Sequence, residues 1–281
     1  MLTVSGDAVT ALRRRAVAVG QAADAWPTDR FDAGHPALLA TVDQMLAEIR
    51  GDLGHTVVRV DPAGLDDHEL STAAWNLFTL LCTPVPQYRS GELIYAVEVT
   101  PGVAETSHYS GSARAGGHHT DGTLLPEPPD VACLVGLSAA VGGETIMMDG
   151  RRLAAKLDAT DPAFTRILAL PHHFDVMDQI EGVLTKRQPI MRRDGDEFEL
   201  RYLRRYIEQG YRVAGEPLPD VLRAAMDRLD QLSAAEENQT LVLLDRGVAL
   251  IWDNRRMLHG RLPFEERSTR RRLRRMYGTW A

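Results

Sequence analysis

The chain has 281 residues, 44% of them apolar and 25% charged, an ordinary globular composition with room for one large core or two small ones. A formal net charge of -7 removes the long-range attraction that nucleic acid or an anionic membrane would need, and no apolar run is long enough to span a bilayer. The two cysteines, Cys82 and Cys133, each sit in an apolar run and are expected to be reduced core residues, so the cytoplasm is the expected compartment.

The first residues, with Asp7 and Arg13 to Arg15 but no apolar block behind them, do not read as a signal peptide. Leu38, Leu39, Val42, Met45, Leu46 and Ile49 recur largely at three- and four-residue intervals and predict an amphipathic helix. A strand is predicted over residues 55–60, closed by Pro62-Ala63-Gly64. A second helix is predicted over about 67–81, stopped by Pro84. Strands are then expected at 93–99, ended by Pro101-Gly102, at 131–137, and at about 144–149 after Gly142-Gly143. Next come a helix from near Gly150 to before Asp161 and a short one ending near Leu170. Strand pieces around an Arg193-Asp194-Gly195-Asp196 hairpin turn lead to a long helix over about 219–235. Strands at 241–244, 248–252 and about 270–279 close the chain. Many short strands around a few helices predict a mainly β fold with flanking helices, a sandwich or barrel. No repeat or linker divides it, so one domain is expected, helical over about 1–85 and strand-rich over about 90–281. Neither glycine-rich nucleotide motif comes after any strand.

The chemistry begins at His119-Thr120-Asp121. In a chain with nine histidines such a triplet is weak alone. Gly116 and Gly117 before it, and Gly122, Thr123 and Pro126 after it, place it where a strand gives way to a turn. On an extended segment the side chains at i and i+2 share a side, as two ligands of one ion must, and His118 then faces away. His259, in the run 251–261, completes a set of two imidazoles and one carboxylate. Such a set holds one face of a non-haem Fe(II) and leaves positions for a co-substrate and dioxygen. Trp252 is expected in the core, and Asn254 is expected to satisfy backbone groups at a turn.

Arginines crowd the last predicted strand. Alternation puts Arg271, Leu273 and Arg275 on one side and Arg270, Arg272 and Arg274 on the other. A planar guanidinium meets a carboxylate with two parallel hydrogen bonds, so two inward-facing arginines suffice as anion anchors. The others are expected to form a solvated basic edge.

In this order, the H-x-D triplet, Gly142-Gly143-Glu144-Thr145, the run 253–261 and the arginine-rich strand resemble the Fe(II)/2-oxoglutarate-dependent oxygenases of the taurine dioxygenase and clavaminate synthase-like family. The resemblance runs from His119 to Arg275. It implies a double-stranded β-helix, or jelly roll, with His119, Asp121 and His259 as the catalytic iron ligands. Thr145 would hydrogen-bond the 2-oxoglutarate co-substrate, Arg271 would hold its distal carboxylate, and Arg275 would meet the carboxylate of the substrate. The loop after His259 is slightly shorter than in the clavaminate-type members, which leaves Arg270/Arg274 as a competing frame. The end of the motif, Leu273 to Tyr277, favours Arg271/Arg275.

The implied activity consumes dioxygen, converts 2-oxoglutarate to succinate and hydroxylates an unactivated carbon. The expected substrate is small and anionic, foremost a free amino acid or a derivative, held by Arg275 and by Arg201 or Arg204. Sulfonate and aryloxy acid substrates also occur in the family. Residues 172–205, with His172, His173, Arg201, Tyr202 and Arg204, are expected to frame or cover the pocket. Desaturation or cyclisation would use the same residues, while chlorination needs an open position where Asp121 stands. Two other classes stay open, a non-catalytic jelly-roll binding protein and a zinc hydrolase on the same three ligands. Neither nucleic acid nor membrane is an expected partner, and the sequence assigns no oligomeric state.

Overall fold

The computed structural model describes residues 1–14, 27–31, 34–99, 116–266 and 269–280. The strand ending expected at Pro101-Gly102 and Arg15 of the N-terminal basic run lie outside them.

The chain opens with β1 (Leu2–Val4), α1 (Asp7–Arg13) and α2 (Pro36–Arg50). α2 is the predicted amphipathic helix: His35 caps it through the Leu38 N–H, Pro36 occupies its first turn, and Leu38, Val42, Met45 and Ile49 are buried. β2 (His55–Val60) buries every second residue. α3 (Asp67–Thr79) starts on a reciprocal capping box between Asp66 and Glu69. After α3 the chain forms an unpredicted strand, β3 (Cys82–Val85), which takes the edge of a sheet, where Pro84 is tolerated.

β4 (Ile94–Glu98), β5 (Gly116–His119), β6 (Val131–Ser138), the short β7 (Val141–Gly142) and β8 (Thr145–Asp149) come next, then α4 (Gly150–Thr160) and α5 (Pro162–Leu168). β9 (Pro171–Asp175) pairs with β10 (Thr185–Pro189), and β11 (Met191–Asp194) with β12 (Glu197–Leu200). α6 (Arg204–Ala214) was not predicted. A Cβ on its Gly210 would lie 2.7 Å from the His173 backbone, so the glycine that weakens the helical pattern is what lets α6 touch β9. α7 (Asp220–Ala234), β13 (Thr240–Val242), β14 (Val248–Asp253), β15 (Met257–Arg261), β16 (Phe264–Glu265) and β17 (Arg272–Trp280) complete the chain.

The result is rich in sheet, with helices outside. Seven strands form one sheet in the order β1-β2-β14-β6-β17-β3, with β4 also on β17, and four form another in the order β13-β8-β15-β5. Leu134, Leu250, Trp252 and Leu273 of the first share one cluster with Met147, Val242 and Met257 of the second, so the two sheets face each other. The other face of the large sheet, through Cys133, Ile251 and Met276, packs on α2 and α3. The other face of the small one, through Ile146, Met148 and Leu258, packs on α4 to α7. The first part of the chain is therefore more than a helical cover, since β1, β2 and β3 all belong to the large sheet. Both cysteines are free and buried. No helix among the described residues is long and apolar enough to cross a membrane.

Candidate active site

Between the sheets opens a cavity of about 550 Å³, a size suited to small molecules. β15 lies between β8 and β5, and its antiparallel register on β5 sets His259 opposite His119. Their ring centroids are 4.2 Å apart. His119 is the last residue of β5 and Asp121 lies in the turn beyond it, so a turn, not an extended pair, brings the two together. Two clamps hold that turn. Thr120 donates its N–H to Tyr202 O at 2.8 Å and accepts the Tyr202 N–H on Oγ1 at 3.0 Å. The Asn254 amide accepts the Asp121 N–H at 2.8 Å and donates to the carbonyls of Asp121 and Pro129, each at 3.0 Å. His118 points the other way, onto Ser233 Oγ at 2.8 Å.

One ligand atom each of His119, Asp121 and His259 lies within 4.8 Å of the others. His259 Nε2 is 3.6 Å from Asp121 Oδ2, and His119 Nε2 is 3.9 Å from Oδ1. A hydrogen bond from His119 Nδ1 to Gly117 O at 2.8 Å turns Nε2 inward. Trp252 is buried, with its ring 4.8 Å from that of His259. Burial and repulsion from His119 pull His259 down to about 3, and burial lowers His119 as well. Both imidazoles are thus neutral near pH 7, with lone pairs to donate. Burial by itself would raise the Asp121 carboxyl, but the imidazoles, Arg275 and the Tyr277 hydroxyl outweigh it and hold the group below its usual range. Asp121 Oδ2 is buried without a hydrogen-bond partner among the described residues. Two neutral imidazoles and a carboxylate with an unused buried oxygen fit Fe(II).

Arg271, just before β17, and Leu273 and Arg275 on it stand in the cavity wall, with Arg270, Arg272 and Arg274 outside it. Arg272 pairs with Asp67 at 2.7 Å and Arg274 with Glu98 at 3.2 Å. Arg271 is 6% exposed, and its guanidinium lies 5.4 Å from the Phe264 ring centroid. Its backbone N–H donates to Glu266, while no carboxylate among the described residues pairs with its guanidinium. Burial, with Arg261 nearby, lowers that guanidinium to about 10, and burial does the same to Arg261, which lies over the same ring at 4.8 Å. Thr145 stands opposite Arg261 in the β8–β15 ladder and is 1% exposed, with an Oγ1 that has no hydrogen-bond partner among the described residues. Gly143, at φ 77°, makes room for this group, because a Cβ there would lie 3.2 Å from Arg271 Nε. Desolvated cations beside an unmatched hydroxyl form a receptor for a carboxylate.

Arg275 is held more tightly. Its Nε donates to Gln87 Oε1 at 2.7 Å and its Nη2 to the Tyr88 hydroxyl at 2.8 Å. The rings of Tyr277 and Tyr95 lie 4.8 and 5.1 Å from the guanidinium carbon. Sequence reasoning missed Gln87 and Tyr88, which come after Pro86 in a connection between β3 and β4 that carries no motif.

The family model described as taurine catabolism dioxygenase TauD, TfdA family matches residues 18–277. The chain belongs to this family. It is a 2-oxoglutarate-dependent dioxygenase of the TauD type. Its fold is similar to that of an asparagine oxygenase in complex with Fe(II), 2S,3S-3-hydroxyasparagine and succinate, at TM-score 0.75 and 20% identity over 99% of this chain and 93% of that one. The non-heme iron oxygenase OrfP in complex with Fe, succinate and (3S)-hydroxy-L-Arg is similar at TM-score 0.71 and 18% identity, over 99% and 94%. OrfP with Fe and alpha-ketoglutaric acid is similar at TM-score 0.70 and 18% identity, over 99% and 93%.

Two of the arginines expected at the substrate end of this TauD-type site do not reach the cavity. Arg201 is spent on Glu199 at 2.8 Å and Gln188 at 2.7 Å. Arg204 is spent on Glu208, Asp227 and Asp230 at 2.8, 2.6 and 2.7 Å. Arg205 lines the cavity instead. In the first turn of α6 successive side chains diverge by roughly 100°, so neighbours in sequence serve opposite sides of the helix. His172 and His173 also face away from the cavity, onto Tyr211 at 3.1 Å and Thr185 at 3.2 Å.

Proposed function

We propose that this TauD, TfdA family member hydroxylates an unactivated carbon of a small carboxylate-bearing substrate, a free amino acid or a derivative, with Fe(II), 2-oxoglutarate and dioxygen. One observation carries the reading: the His119–Asp121–His259 cluster shares its cavity with the Thr145 hydroxyl and the Arg271 guanidinium, the first without a hydrogen bond and the second without a carboxylate among the described residues. His119, Asp121 and His259 are the iron ligands in this reading, Thr145 and Arg271 bind the co-substrate, and Arg275 binds the carboxylate of the substrate. Bound Fe(II) supplies the dioxygen and radical chemistry that side chains cannot.

The chain supplies placement. Arg271 fixes a distal carboxylate with a planar fork, and Thr145 adds a donor from the neighbouring strand. Gln87 and Tyr88 hold Arg275 in one orientation beside Asp121, so a substrate that meets it arrives in a single pose. Leu134, Leu273 and Val97 give the cavity apolar walls that limit water. Hydroxyasparagine and hydroxyarginine, named in two of the similar structures, support an amino acid as substrate.

The facing sheets support the double-stranded β-helix, or jelly roll. The place of β1, β2 and β3 in the large sheet supports one oxygenase domain over 1–281, in which the first part to about 85 adds strands as well as helices to a jelly-roll core from about 90. Two free buried thiols support the reducing cytoplasm.

The test is electronic absorption. The anaerobic Fe(II) protein should develop a broad visible charge-transfer band on addition of 2-oxoglutarate, and His259→Ala should not. A protein that binds Fe(II) but shows no band defeats the reading in favour of a hydrolase or a binding protein.

A further inference from the structure

The charge of the cavity wall is one-sided. Arg89, Arg205, Arg261, Arg271 and Arg275 line it, against Asp121 as the one carboxylate among the described lining residues. Three of these arginines already have work in the reading above. Arg271 and Arg261 stand around Thr145 at the co-substrate end, and Arg275 stands beside Asp121. Arg89, 56% exposed, joins two loops: its N–H donates to Gln179 Oε1 at 3.1 Å, Nη1 donates to Asp178 O at 3.3 Å, and Nη2 lies 3.6 Å from Glu181. Arg205 remains. It is half-buried, reaches the cavity from the first turn of α6, and has no ion pair or hydrogen bond from its side chain among the described residues. Glu208, Asp227 and Asp230 pair with Arg204, Glu199 pairs with Arg201 and Arg255, and Asp175 accepts the Met177 N–H at 2.9 Å.

We propose that the substrate is a free dicarboxylic amino acid, of the aspartate or glutamate kind, whose side-chain carboxylate is received by Arg205 while Arg275 takes the α-carboxylate. The inference rests on the oxygenase reading above and narrows its substrate. A cationic side chain would bring a charge toward Arg205 and Arg89 with no carboxylate besides Asp121 among the described lining residues to meet it, and like charges across a contact are a strong rejection. A neutral amide would leave the Arg205 fork desolvated and half-matched. A carboxylate satisfies that fork with two parallel bonds and brings the negative charge the wall lacks.

Calorimetric binding to the anaerobic protein loaded with Fe(II) and 2-oxoglutarate tests this without turnover. Aspartate, glutamate, asparagine, glutamine, lysine and arginine form the panel. One of the two acids should bind at least tenfold more tightly than its own amide and than both cationic amino acids. In Arg205→Gln the preference for acid over amide should shrink to within about threefold. Arg205→Glu should reverse the order, so that lysine or arginine binds more tightly than either acid. The visible band with 2-oxoglutarate shows that each variant is folded and loaded. If the parent protein gives no band, the oxygenase reading itself fails. If the band forms but an amide or a cationic amino acid binds best, or neither acid binds, or Arg205→Glu keeps the parental order, only the dicarboxylic substrate is overturned.

Discussion

Arg275 Nη1 stands 3.6 Å from Asp121 Oδ1, so the arginine assigned to the substrate is also the nearest fixed counter-charge to an assigned iron ligand. Removing one partner of a buried pair leaves the other charge uncompensated, at a cost of about 3 to 5 kcal/mol. Arg275→Ala should therefore lower the stability of the metal-free protein by about that amount. A divalent cation can replace the lost positive charge beside Asp121. Thermal melts with and without Co(II) should show a larger metal-induced rise in the variant than in the parent; an equal or smaller rise would separate Arg275 from the electrostatics of the metal site.

Arg271→Ala should act differently, because its guanidinium is desolvated beside Arg261 and meets no carboxylate among the described residues. The variant should keep or gain stability while the 2-oxoglutarate concentration for half-maximal band formation rises more than tenfold. Losing a charge-assisted pair costs about 2 to 5 kcal/mol. Arg270→Ala and Arg274→Ala should change stability by less than about 1 kcal/mol and leave the titration in place. A large defect in Arg270→Ala with none in Arg271→Ala would turn the last strand over.

Thr145→Val tests a single hydroxyl. Its buried Oγ1 lacks a partner among the described residues, so a near-isosteric methyl should leave the melting temperature unchanged or higher. A hydrogen bond to a charged group contributes about 1.5 to 3 kcal/mol, so 2-oxoglutarate binding should weaken by roughly tenfold or more. Unchanged binding in the anaerobic titration would remove Thr145 from the co-substrate site.

Asn254 makes three hydrogen bonds around the turn that carries Asp121. Asn254→Ala leaves one buried N–H and two carbonyls without their partners, and should cost about 2 to 4 kcal/mol in chemical denaturation. Iron affinity should fall with it, although Asn254 touches no ligand side chain. Parental affinity in a destabilised variant would mean that the turn keeps its shape without the clamp.

Asp253 supplies a pH dependence. Burial raises its carboxyl from 3.8 to about 6, against the hydrogen bond from the Arg255 N–H and the charge of Arg256. The folded state then holds this proton more tightly than the unfolded state, so the group's contribution to stability falls as pH rises from about 4 to about 6. Asp253→Asn keeps an acceptor for Arg255 and removes the ionisation. The variant should match the parent near pH 4 and exceed it by about 2 to 3 kcal/mol at pH 8. Parallel stability curves across that range would show that Asp253 titrates as an ordinary surface carboxyl.

The chemistry of the site is local enough to be read along the chain. His119 and Asp121 are two residues apart at the end of a strand, His259 comes after a turn, and a period-two reading carried from β17 back to Arg271 picks Arg271 and Arg275 from five neighbouring arginines. Buried runs such as 131–137 and the apolar stripe of α2 are legible for the same reason, since burial leaves a periodic mark on composition. The tertiary structure decided what depends on long-range register and helix phase. Only the β15–β5 pairing sets His259 against His119, and only the β8–β15 ladder sets Thr145 beside Arg261. Gln87 and Tyr88 reach Arg275 from a motif-free connection because β3 and β4 both pair with β17. The choice of Arg205 over Arg204 comes from α6, whose Gly210 hid the helix in the sequence and fits it against β9 in the fold. One residue of rotation about that helix separates an arginine consumed by carboxylates from one that faces the cavity, and no local pattern records the difference.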